Sequence, residues 1–164
     1  MGCSISHMKP EDWESVRSIY QQGIASGYTF ETSLPDWDEW NANHLPECRL
    51  VARENHQVVG WAALSPVSKR AVYRGVTEVS VYVSASDRRK GIGKALLDAL
   101  INATETAGFW TLQGVILVEN TSSIALFEYC GFRQVGYREK IGQRDGIWKD
   151  TVLMERRSKV VGIS

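Results

Sequence analysis

Val76-Thr77-Glu78-Val79-Ser80-Val81-Tyr82-Val83, followed after Ser84-Ala85-Ser86-Asp87 by Arg88-Arg89-Lys90-Gly91-Ile92-Gly93-Lys94, is the stretch that decides how this chain folds. Residues alternate strictly through its first half, with Thr77, Val79, Val81 and Val83 on one face and Val76, Glu78, Ser80 and Tyr82 on the other. Such a pattern predicts a central β-strand. Leu96, Leu97, Leu100 and Ile101 then recur at helical spacing, so a helix is expected from about Ile92 to Ala107, stopped by Gly108. Glycines between a strand and a helix let the backbone turn tightly and aim several N–H groups outward at a helix N-terminus, which suits phosphate. Arg88, Arg89 and Lys90 oppose the helix dipole unless an anion lies close. The alternative is an ordinary glycine loop with a solvated basic face. Two other phosphate loops fit poorly. A Walker loop needs a hydroxyl after Gly93-Lys94, where Ala95 stands, and a dinucleotide fingerprint needs glycine where Leu96 stands.

Upstream, Cys3 to Met8 alternate as a first strand, and Lys9-Pro10-Glu11-Asp12 has the proline and acids of a helix start. Trp13, Val16, Ile19, Tyr20 and Ile24 give a helix over 13–25, ended at Gly27. Tyr28 to Pro35 reads as a loop carrying Tyr28 and Phe30, and a second helix covers Asp36 to Leu45. Two short apolar runs, 50–53 and 58–64, flank Glu54-Asn55-His56-Gln57 as an antiparallel hairpin. Downstream come a strand over 111–118, a helix over 121–129 closed by Gly131, and strands over 132–141 and 147–155 joined through Gly142-Gln143-Arg144-Asp145-Gly146. The order is β-α-α-β-β-β-α-β-α-β-β, an α/β domain on a mixed sheet.

At 164 residues the chain is expected to form a single domain, 1–164, with a core of its own. Nineteen Lys and Arg balance nineteen Asp and Glu, so no broad field favours nucleic acid or anionic lipid, and the expected partner is a small molecule. Cys3, Cys48 and Cys130 are odd in number and widely spaced, which fits neither a disulfide framework nor a metal site and suits a reducing cytoplasm. No apolar run is long enough for a membrane span, and no signal segment opens the chain. Met1-Gly2-Cys3-Ser4-Ile5-Ser6 matches an N-myristoylation pattern, but the strand reading of 3–8 competes with it.

The R-x-x-G-x-G segment at Arg88 to Gly93, with a strand before it and a helix after, resembles the coenzyme A pyrophosphate loop of the GNAT superfamily of N-acetyltransferases. Asn120 to Phe132, an asparagine opening a helix that ends in Gly-Phe, looks like that superfamily's second cofactor motif. Over nearly the whole chain the likeness is to the phosphinothricin acetyltransferase family, carried by Tyr28-Thr29-Phe30-Glu31, Ser68 to Tyr73, Thr77 to Ser84 and Gly146 to Asp150. The resemblance implies a mostly antiparallel GNAT-type sheet flanked by helices, acetyl-CoA as co-substrate, no metal, and a homodimer. It further implies an acceptor of phosphinothricin, methionine sulfoximine or methionine sulfone type, acetylated on its α-amine.

Acyl transfer to an amine needs a neutral nucleophile, a polarised thioester carbonyl and a proton for the departing sulfur. Glu78, a lone carboxylate in an apolar strand, is the candidate base because burial raises a carboxyl pKa. The alternative is a strand-edge glutamate paired to an arginine. By resemblance Glu78 holds the catalytic glutamate position, and the backbone of Val81, Tyr82 and Val83, where this strand splays from its neighbour, receives the thioester and pantetheine arm. Arg88, Arg89, Lys90, Gly91, Ile92, Gly93 and Lys94 hold the pyrophosphate, and Asn120 and Ser123 contact the arm. Phe30, Arg70 and Tyr73 are the candidate substrate residues, each with a packing or solvated alternative. Phe127 stands where many superfamily members place a tyrosine, and Tyr129 lies roughly 200° further round the helix. A general small-amine or protein N-terminal acetyltransferase, or a non-catalytic acyl-CoA sensor, remains open on the sequence.

Overall fold

The computed structural model describes residues 2–164, so Met1, the first residue of the myristoylation match, lies outside the described residues. The elements are β1 (Ser4–His7), α1 (Trp13–Ser26), α2 (Trp37–Asn43), β2 (Leu50–Glu54), β3 (Gln57–Pro66), β4 (Val76–Val83), α3 (Ile92–Ala107), β5 (Thr111–Leu117), α4 (Thr121–Tyr129), β6 (Arg133–Arg144) and β7 (Ile147–Arg157). Their order is the one the sequence predicts. The seven strands pair into one sheet, β1-β2-β3-β4-β5-β7-β6, antiparallel throughout except between β4 and β5.

Period-two alternation sends apolar side chains to both faces of the sheet. On one face Val79, Ile116, Val152 and Met154 pack beneath Leu96, Leu97 and Leu100 of α3 and Phe127 of α4. On the other, Val51, Trp61 and Ala63 meet Val16 and Ile19 of α1 and Trp40 of α2. Aromatic rings dominate this second layer: Trp61 stacks on Tyr82 at 5.0 Å, Tyr20 lies 5.1 Å from Tyr82, and Trp40 meets Trp61 edge-on at 5.6 Å. Offset and edge contacts of this kind add to area burial.

Helix ends follow local chemistry. Asp36 caps α2 by accepting from Glu39 N–H at 2.8 Å while Glu39 reaches back to the Asp36 N–H, so the helix runs Trp37–Asn43 and stops short of the expected Leu45. Two turns are tighter than expected. Asn55 and His56, both at positive φ, make β2–β3 a two-residue hairpin, and Asp145-Gly146 does the same for β6–β7. β6 therefore runs on through Gly142, Gln143 and Arg144, which the sequence assigned to the turn.

Candidate active site

The site begins where β4 and β5 part. They pair in parallel only at Val76–Thr111, Thr77–Leu112 and Glu78–Gln113, whereas β4 stays paired to β3 as far as Val83–Gly60. Ser84 N–H donates to the Val59 carbonyl at 2.8 Å. Because antiparallel ladders alternate bonded and non-bonded pairs, Tyr82, Ser80 and Glu78 bond to β3 and the amides of Val79, Val81 and Val83 point toward β5. Val79 N–H closes the last parallel pair, Glu78–Gln113; beyond it that strand has moved away, so the Val81 and Val83 donors open into a gap.

A cavity of about 590 Å³ occupies the gap and extends over the aromatic face. Its walls include Glu78, Val81 and Tyr82 from β4, Val115 and Leu117 from β5, Asn120, Ser123 and Phe127 from α4, and Phe30 from the loop after α1. Five of the residues singled out in the sequence for this chemistry, Glu78, Val81, Tyr82, Asn120 and Ser123, thus meet in one space, with Phe30 over it. The loop carrying Phe30 is held by Arg144, whose guanidinium donates to the Thr29 carbonyl at 2.7 Å and to the Ile24 carbonyl at 2.8 Å. Gly142 lies against the Phe30 ring, where a Cβ would approach to 3.1 Å.

Glu78 is half-buried, and burial pushes its pKa above the ordinary carboxylate value while the positive charge of Arg138 pulls the other way. Among the described residues it makes no salt bridge. Burial likewise raises the phenol pKa values of Tyr20 and Tyr82, which keeps both hydroxyls protonated.

The basic-glycine segment wraps the start of α3, with Gly91 left-handed at φ 81° as its N-cap. Ala95 N–H bonds to the Gly91 carbonyl at 3.0 Å, and no side chain caps this end. Ile92, Gly93 and Lys94 therefore present amides without intrahelical partners. Lys90 pairs with Asp87 at 2.9 Å and Glu54 at 3.3 Å, and Lys94 with Asp98 at 2.6 Å, so part of the basic charge is balanced within the chain. Arg88 and Arg89 make no salt bridge among the described residues. Gly93 lets α4 approach: a Cβ there would lie 3.1 Å from Leu126. Asn120 Oδ1 accepts from Ser123 N–H at 3.3 Å, which caps α4 and leaves Nδ2 to donate elsewhere. The donor set of free strand amides, free helix amides and the Asn120 amide fits the thioester, pyrophosphate and arm of a coenzyme A ester.

These features describe a splayed parallel pair feeding a phosphate-type helix start, and residues 13–132 match the Acetyltransferase (GNAT) family. The chain belongs to the GNAT family of acetyltransferases. It is 32% identical to the phosphinothricin N-acetyltransferase of Alcaligenes faecalis, over 94% of this chain and 82% of that protein. Identity is 34% to the L-methionine sulfoximine/L-methionine sulfone acetyltransferase of Pseudomonas aeruginosa, over 94% of each. The crystal structure of a GNAT superfamily phosphinothricin acetyltransferase from Sinorhizobium meliloti in complex with AcCoA superposes with a TM-score of 0.89 at 30% identity, covering 100% of this chain and 92% of that one.

Within this GNAT frame several expected residues stand apart from the cavity lining. Val83 and the 88–94 segment lie beyond it, toward the α3 start. Arg70 and Tyr73 sit on the β3–β4 connection with the guanidinium 5.4 Å from the tyrosine ring, outside the lining. Tyr129 is 74% exposed beside Lys94, whereas Phe127 is buried against Gly114 and Phe132 and lines the cavity. The cavity also holds His44, Ser65, Tyr20 and Thr151, none singled out in the sequence. Ser65 is the cross-strand partner of Glu78, and only the register reveals it. A second depression, about 720 Å³ at the β1–β2 edge against Arg53, His56 and Lys90, includes no β4 residue in its described lining. Among the described residues no cluster of three or more His, Cys, Asp or Glu is placed to hold a metal ion, and no helix is long and apolar enough to cross a membrane.

Proposed function

We propose that this enzyme uses acetyl-CoA to acetylate the α-amino group of a small amino-acid analogue of the phosphinothricin, methionine sulfoximine or methionine sulfone type, as a cytoplasmic homodimer formed by a single domain. The observation that carries the reading is the placement of Glu78: a half-buried carboxylate without an ion pair, facing the cavity into which the free amides of the same strand open. The names of the relatives support the acceptor class.

When bound, acetyl-CoA supplies a thioester carbonyl and a thiolate leaving group. Glu78, its pKa raised by burial, accepts a proton from the acceptor ammonium through cavity water, which frees the nitrogen lone pair. Val81 N–H and Val83 N–H point where the carbonyl oxygen gains negative charge, and a fixed donor of this kind contributes roughly 10²–10³ in rate. The α3 amides, with Arg88 and Arg89, hold the pyrophosphate, and Asn120 Nδ2 and Ser123 orient the arm. With phenylalanine at 127 and Tyr129 outside the cavity lining, the proton that neutralises the departing sulfur comes from the acceptor amine or from cavity water. Phe30 covers the acceptor, while Arg70 and Tyr73, outside the cavity lining, would swing in from the β3–β4 connection to reach its carboxylate.

Val135, Tyr137, Ile141, Ile147 and Trp148 expose apolar surface along β6 and β7, which supports that hairpin as the dimer contact. Asp150 braces it, accepting from Tyr137 Oη and from Lys140 N–H.

Thiol release from acetyl-CoA, measured across amino-acid analogues, polyamines and N-terminal peptides, tests the substrate. Turnover with methionine sulfone or phosphinothricin at least ten times that with polyamines or peptides is expected. Preference for a peptide amine would replace the acceptor assignment, and tight binding without turnover would remove it.

A further inference from the structure

His44 lies at the end of α2 in extended conformation, φ −121° and ψ 143°, and the chain on both sides of its ring is tied down. Arg49 donates to the His44 carbonyl at 2.9 Å, and Leu45 N–H donates to the Leu64 carbonyl of β3 at 2.8 Å. The imidazole stacks on Trp40 with centroids 4.3 Å apart and meets Trp61 edge-on at 6.0 Å. Its Nδ1 is 2.7 Å from the Trp40 carbonyl oxygen, which can only accept, so Nδ1 carries a proton. Burial lowers the ring's pKa below the ordinary histidine value, opposed by the bond to the Trp40 carbonyl and reinforced by Arg49. At neutral pH the ring is therefore uncharged, with the lone pair on Nε2.

That nitrogen makes no hydrogen bond among the described residues, and it is not one of the enclosed, unpartnered polar atoms. It opens onto accessible space, and His44 lines the same cavity as Glu78. The geometry ties the two together. Trp61, against which the imidazole packs, and Ser65, opposite Glu78, both project on the Glu78 face of the β3–β4 pair. Other titratable groups around the cavity are Glu39 from α2, Tyr20 from α1, Tyr82 from β4, and Tyr28 and Glu31 from the loop after α1; Arg49 approaches from the α2–β2 connection, the charge of Arg138 on β6 acts on Glu78, and β3 contributes none.

An ammonium nitrogen must lose two protons to become an amide nitrogen, and Glu78 can hold only one. We propose that His44 is the second proton acceptor of the cavity, its Nε2 taking a hydrogen bond from the incoming ammonium and sharing with Glu78 the removal of its protons. One N–H bond breaks as its proton passes through cavity water to the Glu78 carboxylate. The nitrogen lone pair then forms the N–C bond while the C–S bond breaks and its pair goes to sulfur. The second nitrogen proton passes to Nε2 of His44, after which one of the two stored protons reaches sulfur through cavity water and the other leaves to solvent. This inference rests on the acetyl-transfer reading above.

The test is the pH profile of kcat/KM for wild type and His44→Asn, whose amide can still donate to the Trp40 carbonyl but cannot take a proton. His44→Asn is expected to lower the plateau about tenfold or more and to remove one of two ionisations from the acid limb, with acetyl-CoA affinity and Tm unchanged. If His44→Asn does not fold, ¹⁵N NMR of the wild-type ring decides. An unprotonated Nε2, with a titration midpoint that moves in Glu78→Gln, is expected; an Nε2–H tautomer or an indifferent midpoint overturns the proposal. Active wild type with an unaltered His44→Asn profile sinks this proposal alone. Wild type that acetylates no amine sinks the acetyl-transfer reading and this proposal with it.

Discussion

Glu78 carries its charge at a cost to the fold. Its folded pKa lies above the unfolded value, so the native state holds the proton more tightly than the unfolded chain does. Its contribution to stability is fully present below pH about 4.5 and is lost as pH rises through the folded pKa. Glu78→Gln removes that loss, so Tm at pH 7 is expected to rise, by roughly 2–4 °C per kcal/mol recovered, and to change little near pH 4. Thermal unfolding of both proteins at the two pH values checks this, and a lower Tm at pH 7 would show that the carboxylate is paired. Phe127 and Tyr129 make a second contrast. Tyr129→Phe is expected to leave kcat within about twofold, since its ring is exposed and outside the cavity, and a loss of tenfold or more would make it the acid. The alternation that places Glu78 is visible in the sequence; its cavity neighbours His44 and Ser65 are not, because strand register and the end of α2 bring them there.

Among the elements, the β6–β7 hairpin and the loop after α1 act together. Arg144 ties the two through carbonyls 24 and 29, and Phe30 rests on Gly142. Arg144→Ala is therefore expected to raise KM for the acceptor amine several-fold while leaving the Kd for acetyl-CoA unchanged, as the proposed role of Phe30 over the acceptor requires. Equal losses for both ligands would mean that the hairpin supports the whole cavity. The sequence assigned Gly142-Gln143-Arg144 to a turn because Asp145-Gly146 beside them supplies turn chemistry. They pair instead with Lys149, Trp148 and Ile147 of β7, and Gly142 and Arg144 also meet a loop more than a hundred residues away, a contact no local pattern records. By contrast α3 and α4 have the bounds their spacing predicts, since an apolar stripe, an asparagine cap and terminal glycines are all local signals. The parting of β4 from β5 came only through family resemblance; alternation is the same in a paired strand and in one that has lost its neighbour.

At the scale of the molecule, balanced charge leaves the apolar surface of the last hairpin as the feature that favours self-association. Sedimentation equilibrium is expected to show a dimer that Trp148→Glu converts to monomer, and a wild-type monomer at micromolar concentration would remove the dimer from the account. The central claim is that one cavity binds the acetyl donor through backbone amides and activates the amine through Glu78. Its most direct test is one comparison, kcat for Glu78→Gln against wild type alongside the Kd for acetyl-CoA. The account predicts a fall in kcat of about 10² or more with Kd within twofold; an unchanged kcat, or a loss confined to Kd, would contradict it.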